Sequence, residues 1–327
     1  MKAAVYDRYG PPEVLRITEV EQPVPKDNEV LIQVRAASVN PLDRYMMRGK
    51  PLFIRATSGG FFSPKRKILG CDIAGRVEAA GKNAKQFQPG DEVFGASSLG
   101  GFAEYVCAVE DRLALKPANL SFEEAAAVPV AAVSALQGLR DKGKIQPGNK
   151  VLVDGASGGV GTFAVQIAKA FGAEVTAVCS TRKIETARSL GADHVIDYTR
   201  EDFTRSGQRY DLILAANARH SIFDYRRVLS AEGIFVMVGG GGVQILQMFL
   251  LAPFLSRIGK RKLDFCSAKI SQKDLVILKG LLEAGKVVPF IDRRYPLSEL
   301  MEAVRYLEEG HAKGKVVILM EANSGKK

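Results

Sequence analysis

Over the first 120 residues the apolar positions come in short, often alternating runs, at residues 29–36, 75–80, 91–95 and 102–108. Turn formers separate them: Gly10-Pro11-Pro12, Pro23, Pro25, Pro89-Gly90 and Gly100-Gly101. This spacing predicts a small antiparallel, barrel-like domain. The pattern changes at Leu120, where Ser121 and Glu124 form a capping box ahead of an Ala-rich helix running through Arg140. From Lys150 onward VLVDG, EVTAVC, HVIDY and YDLILAA read as strands, with helices at residues 160–171 and 183–190 between them. Strands joined by helices of this length need crossover connections, which predicts a parallel, doubly wound sheet. Another strand, IFVMVGGGG, follows Gly233, then helices at residues 273–284 and 298–309 and a strand in KGKVVILM. With no second nucleotide motif in it, this last stretch is expected to return and complete the first domain. The expected organisation is therefore residues 1–121, 122–263 and 264–327.

A chain of 327 residues exceeds what one core usually organises, in keeping with two domains. Hydrophobic residues at 46% and charged residues at 25% are ordinary for a globular protein. The formal charge of +10 admits three acidic partners: nucleic acid, an anionic membrane or a phosphorylated small molecule. The densest basic groups, Lys65-Arg66-Lys67 and Lys260-Arg261-Lys262, have no zinc-finger spacing or RNA-binding aromatics beside them, so no nucleic-acid partner is expected. Cys71, Cys107, Cys179 and Cys266 lie far apart without a CxxC pair, which fits a reducing compartment, and the first residues lack a signal-peptide pattern. A cytoplasmic location is the expectation. Residues 243–256 are the most apolar stretch, interrupted by Pro253 and shorter than the roughly 20 residues that span a bilayer. They read first as a buried helix or a homodimer contact. The basic residues that follow, Arg257 to Lys262, leave a weak membrane-surface contact as the alternative.

Gly155-Ala156-Ser157-Gly158-Gly159-Val160-Gly161 stands directly after VLVD and directly before an amphipathic helix. Glycines there permit a tight turn and bring backbone N–H groups and a helix N-terminus to a pyrophosphate. An acidic residue closing the second strand would bind the ribose hydroxyls of NAD. Here that strand runs into Ser180-Thr181-Arg182-Lys183, two hydroxyls and two cations suited to a 2′-phosphate, so NADP(H) is the expected cofactor. Tyr198, Asn217 and Gly239, at the ends of later strands, complete the candidate cofactor set. Tyr198 reads equally as packing, and Asn217 as a cap on its own backbone.

Along nearly its whole length the chain resembles the zinc-independent quinone oxidoreductase (zeta-crystallin-like) branch of the medium-chain dehydrogenase/reductase superfamily. The resemblance rests on Asn40-Pro41-Leu42-Asp43-Arg44-Tyr45 with Gly49, on Gly70-Cys71-Asp72-Ile73-Ala74-Gly75 with Gly81, on residues 125–139, on the turn at Gly155 to Gly161, and on Gly314-Lys315-Val316-Val317. It implies an α/β fold: a Rossmann doubly wound parallel sheet domain plus a GroES-like β-barrel domain formed from both chain ends, often as a dimer. Zinc-using relatives carry Gly-His-Glu where this chain has Gly70-Cys71-Asp72, followed by a four-cysteine lobe, and neither feature is present. No metal site is expected.

The resemblance also implies that Asn40, Asp43 and Tyr45 line the cleft, Tyr45 as donor to an enolate or semireduced quinone oxygen. Without a metal to polarise an alcohol, the acceptor must already be electrophilic, such as a quinone or an α,β-unsaturated carbonyl, held against apolar groups such as Met46, Met47, Phe53, Phe61, Phe62 and Phe265. Residues 53–67 could form a flap over it. Two rivals stand beside this expectation: a zinc-free alcohol or sugar dehydrogenase, and a non-catalytic NADPH-binding sensor or membrane-surface protein.

Overall fold

The computed structural model describes residues 1–57, 60–310 and 312–320. The alternating first part folds into β1 (Lys2–Val5), β2 (Arg16–Glu19), β3 (Glu29–Val39), α1 (Pro41–Arg48), α2 (Phe53–Thr57), β4 (Asp72–Ala80), β5 (Glu92–Ala96), β6 (Tyr105–Val109) and β7 (Leu113–Leu115). Two helices follow, α3 (Phe122–Ala126) and α4 (Pro129–Gln137). Strands and helices then alternate: β8 (Lys150–Asp154), α5 (Gly159–Ala170), β9 (Glu174–Cys179), α6 (Ile184–Ser189), β10 (His194–Asp197), β11 (Tyr210–Ala215), α7 (Ile222–Arg227) and β12 (Leu229–Met237). The rest gives α8 (Gly242–Leu255), β13 (Lys262–Phe265), α9 (Gln272–Glu283), β14 (Ile291–Pro296), α10 (Leu300–Glu308) and β15 (Lys315–Leu319).

The capping box forms as read, with Ser121 Oγ accepting from Glu124 N–H and the Glu124 carboxylate accepting from Ser121 N–H. The single helix expected through Arg140 does not form: α3 stops at Ala126 and α4 begins at Pro129. Proline lacks the N–H that would continue the helix and disfavours helical geometry at the residue before it, whereas at a first helical position it is well placed.

The chain divides into two compact units. One comprises Met1–Val130, Ile270–Glu283 and the described part of Pro289–Lys327; the other comprises Ala131–Lys269 and Ala284–Val288. The crossings after Val130 and Lys269 fall later than the expected boundaries at residues 121 and 263, and the chain crosses twice more at the ends of Ala284–Val288. The reason is local: α3 packs on β3 and β4, and Lys269 is still held by Gln137 through both its N–H and its carbonyl.

In the first unit the strand order is β14-β15-β3-β4-β5-β7, with β6 also on β3. One edge of β3 pairs with β4 along its length. The other edge is shared, Glu29 to Gln33 pairing with β6 and Ala36 to Val39 with β15, all antiparallel. The chain's two ends thus build one sheet, whose core holds Ile32, Val34, Ile73, Phe102, Val316 and Ile318. Met46 and Met47 also lie buried in that core and do not form a substrate wall. Of the other apolar residues expected around a substrate, Phe61 and Phe62 are exposed.

In the second unit β10-β9-β8-β11-β12-β13 form a wholly parallel sheet. Its inner strands read as unbroken apolar runs because helices cover both faces, and Val151, Leu152 and Val153 are fully buried. The order reverses between β8 and β11, and ligands in such sheets bind outside the carboxyl ends of the strands at the reversal.

Candidate functional site

At the carboxyl end of β8 the glycines of the turn answer different needs. Gly155 has φ +80°, a conformation that L side chains rarely adopt. A Cβ on Gly161 would stand 2.1 Å from Gly155 O, so that position must be bare for α5 to reach the strand. Gly158 is different: its backbone is extended (φ −86°, ψ 177°), and an added Cβ would come no nearer to the protein than 3.6 Å. Nothing in the chain demands glycine there. A Cβ would only fill the space in front of the N-terminus of α5, where a phosphate would approach, so the turn fits a dinucleotide. Ala156 and Ser157 are buried beneath it.

The turn is tied to its neighbour by a buried chain of hydrogen bonds. Tyr225 Oη donates to Asp154 Oδ2 and accepts from the Arg219 N–H at 3.1 Å. Burial pushes the Asp154 carboxyl upward, against the Tyr225 bond. This anchors the loop after β11, where Asn217 is exposed and lies beside Gly155. Gly239, after β12, accepts from Ala218 N–H at 2.8 Å, and a Cβ on it would stand 2.6 Å from Ala216 O. Its role in the structure is the close approach of two loops.

Beyond β9, Ser180 leads into a tight turn at Thr181–Lys183. Thr181 Oγ1 donates to Asp197, which also accepts from Thr199 Oγ1 at 2.7 Å. The Thr181 hydroxyl thus anchors the turn from beneath and has no proton left for a ligand. Arg182 is exposed and Lys183 partly so. Tyr198 is half exposed, and the Arg219 guanidinium sits 5.6 Å from its ring centroid. Arg219 is a further cation among these strand ends that the sequence did not single out. Its only signal there was its place on the loop after β11, two residues beyond Asn217.

The first unit carries a second polar cluster, built by strand register. Ser38 stands opposite Asp72 across β3 and β4, and Val39 opposite Val316 across β3 and β15, which brings Lys315 to Asn40. Lys315 Nζ donates to Asn40 Oδ1 at 2.8 Å and to Asp72 Oδ2 at 3.1 Å. Asp72 also accepts from Asn40 Nδ2, Ser38 Oγ and Val130 N–H, each at 2.9 Å. Asp43 accepts from Asn40 N–H at 2.8 Å and Gly70 N–H at 3.0 Å, and burial pushes its carboxyl up to about 7. Asn40 and Asp43 are brought together, but each is buried and turned into this cluster. Tyr45 is different: it is partly exposed, Arg44 lies 5.2 Å over its ring, and its hydroxyl has no partner among the described residues.

Residues 26–118 match the family described as alcohol dehydrogenase GroES-like domain, and residues 190–318 the family described as zinc-binding dehydrogenase. The chain is 38% identical over 333 residues to a 2-methylene-furan-3-one reductase of Solanum lycopersicum, covering 97% of this chain and 79% of that protein. It belongs to the quinone oxidoreductase branch of the medium-chain dehydrogenase/reductases. An Arabidopsis thaliana NADPH-dependent alkenal/one oxidoreductase is 35% identical over the same shares of the two chains. The Escherichia coli quinone oxidoreductase complexed with NADPH superposes with TM-score 0.84 at 25% identity, covering 98% of this chain and all of that one (100%). The chain is an NAD(P)H-dependent oxidoreductase.

The zinc in the second family's description does not fit this chain. Asp72 is already satisfied by four donors, one of them the Lys315 ammonium, which supplies the positive charge a metal would bring. Desolvation keeps the neighbouring Cys71 thiol protonated. Among the described residues no group of three His, Cys, Asp or Glu side chains could hold a metal ion. His194 bonds Glu174 and His220 packs edge-on to Phe203, while His311 lies outside the described residues, as do Ser58 and Gly59 of the expected flap.

Proposed function

We propose that this protein is a zinc-independent reductase that takes hydride from NADPH and delivers it to a quinone or an α,β-unsaturated carbonyl. The observation that carries the cofactor preference is the end of β9: no acid stands there, Arg182 lies exposed and Lys183 partly so, and Arg219 stands on the loop after β11 at the same end of the sheet. A 2′-phosphate gains charge-assisted hydrogen bonds from such a set, whereas NADH gains none. NADPH supplies the hydride when bound. The protein's part is to orient it through the backbone N–H groups of the Gly155–Gly161 turn and to offer a donor to the oxygen that gains negative charge. Tyr45, with its unpartnered hydroxyl, serves as that donor.

The acceptor class draws support from relatives whose names specify a methylene-furanone, alkenals and alkenones, and quinones, all electrophilic without a metal. An alcohol dehydrogenase would need a side-chain base in its place, and the carboxylates of this unit's cluster are enclosed: Asp43 is held by two backbone N–H groups and Asp72 by four donors.

Fluorescence titration with NADPH and NADH, on wild type and on Arg182→Ala/Lys183→Ala, tests the cofactor preference. The expected result is tighter binding of NADPH, weakened by about 1 to 3 kcal/mol in the variant with NADH unchanged. Equal affinities for the two cofactors in the wild type would overturn the preference. A panel of quinones, enones and alcohols then tests the acceptor, and Tyr45→Phe with unchanged kcat/KM would remove that residue from the mechanism.

A further inference from the structure

One face of α8 is left largely uncovered among the described residues, although the Phe265 ring lies 5.7 Å from that of Phe249. Met248, Ala252 and Leu255 pack inward, while Val243, Leu246, Phe249, Leu250 and Phe254 point to solvent. Exposures of 65%, 67% and 65% for Phe249, Leu250 and Phe254 are far above what a helix covering its own core presents. The stripe runs on to Arg257, and Lys260, Arg261 and Lys262 follow. From residue 241 to residue 263 there is no aspartate or glutamate. The nearby acids are Glu232, which holds Lys260, and Asp264, which pairs with Lys142. Arg261 donates to Ser230 O and Lys262 to Ser256 O, and Arg257 extends the apolar stripe directly.

We infer that α8 is a docking helix for an anionic lipid surface, lying in the plane of the bilayer with Phe249, Leu250 and Phe254 among the upper acyl chains and the cations of residues 257–262 at the lipid phosphates. No described helix is long and apolar enough to cross a membrane. An interfacial helix needs only an apolar face that sinks about 5 to 10 Å and cations beside it, and α8 has both. A second copy of the chain fits less well. The five exposed apolar side chains, each 58% to 67% open, offer on the order of 600 Å² of accessible surface, short of the roughly 800 Å² per partner in a stable dimer. Charge opposes self-pairing too. An antiparallel pair would set the cations of one helix against the positive N-terminal end of the other, and a parallel pair would set cations against cations. The inference does not depend on the cofactor or the acceptor.

The test is co-sedimentation of the full chain with vesicles of phosphatidylcholine alone and of phosphatidylcholine and phosphatidylserine in equal parts. Binding to the anionic vesicles is expected to exceed binding to the neutral ones by about tenfold or more and to weaken as salt is raised. Phe249→Glu/Phe254→Glu should abolish it, and Arg257→Gln/Lys262→Gln should remove the anionic preference, both with the melting temperature of the wild type. Because these residues are exposed, the substitutions leave the core intact, and the wild-type arm decides the question even if one variant misfolds. No binding by the wild type to either vesicle overturns the inference. So does a wild-type dimer that Phe249→Glu/Phe254→Glu converts to monomer, which would assign the face to a second copy.

Discussion

The Lys315 ammonium lies 3.1 Å from Asp72 Oδ2, with 3% of one side chain and 0% of the other open to water. A buried pair of this kind gains little over an apolar pair of the same shape, yet removing one member leaves a bare charge in a place without solvent. Lys315→Ala is expected to cost about 3 to 5 kcal/mol in urea unfolding. Lys315→Met with Asp72→Asn should cost clearly less than the two single changes added together. Strict additivity would show that the pair is not coupled.

The two glycines of the turn should separate folding from binding. Gly161→Ala drives a methyl to 2.1 Å from Gly155 O, so a loss of at least about 2 kcal/mol in stability is expected. Gly158→Ala meets nothing nearer than 3.6 Å and should unfold within about 0.5 kcal/mol of wild type while binding NADPH at least about tenfold more weakly. Melting curves alongside cofactor titrations measure both. Wild-type NADPH affinity in Gly158→Ala would mean that no phosphate approaches that face.

Arg219→Ala is expected to weaken NADPH binding by about 1 to 2 kcal/mol and to leave NADH binding unchanged, since only the 2′-phosphate needs the cation. An equal loss for both cofactors would reassign Arg219 to holding Tyr198 in place.

Asp43 makes a pH prediction. Its carboxyl has an ordinary value of 3.8 and is pushed up to about 7 in the fold. Between those values the folded state holds a proton that the unfolded chain has released, so this group's contribution to stability falls as pH rises and is lost above about 7. Asp43→Asn should be least stable relative to wild type near pH 4 and should close part of that gap by pH 8, as followed by melting temperature. Parallel curves for the two proteins across that range would refute it.

The parallel sheet was legible because its strands are continuous apolar runs, and the glycine turn because its context is local: strand, turn and helix adjoin in sequence. Pro129 was equally visible, yet the Ala-rich composition around it read as one helix, and the proline's backbone chemistry prevailed. Two features were beyond reach for one reason. Arg219 meets Tyr198 only because the loop after β11 reaches across the ends of β8 and β9 to the end of β10, and Lys315 meets Asp72 across 243 residues through a register that no periodicity encodes. Met46 and Met47 were misplaced in the same way. A helix of eight residues shows which positions share a side, but what faces that side is set by distant chain.

The shared edge of β3 also orders events in time. Every strand of the parallel sheet lies between residues 150 and 265, so that unit has all its strands as soon as this stretch has left the ribosome. The barrel cannot close on the same schedule. Until Lys315–Leu319 emerges, Ala36 to Val39 keep an open edge and Asp72 lacks its cation, and unpaired edges of this kind are where nascent chains associate wrongly. The part of the protein made first is finished last, and chaperones that hold the nascent chain have the most to protect along that edge.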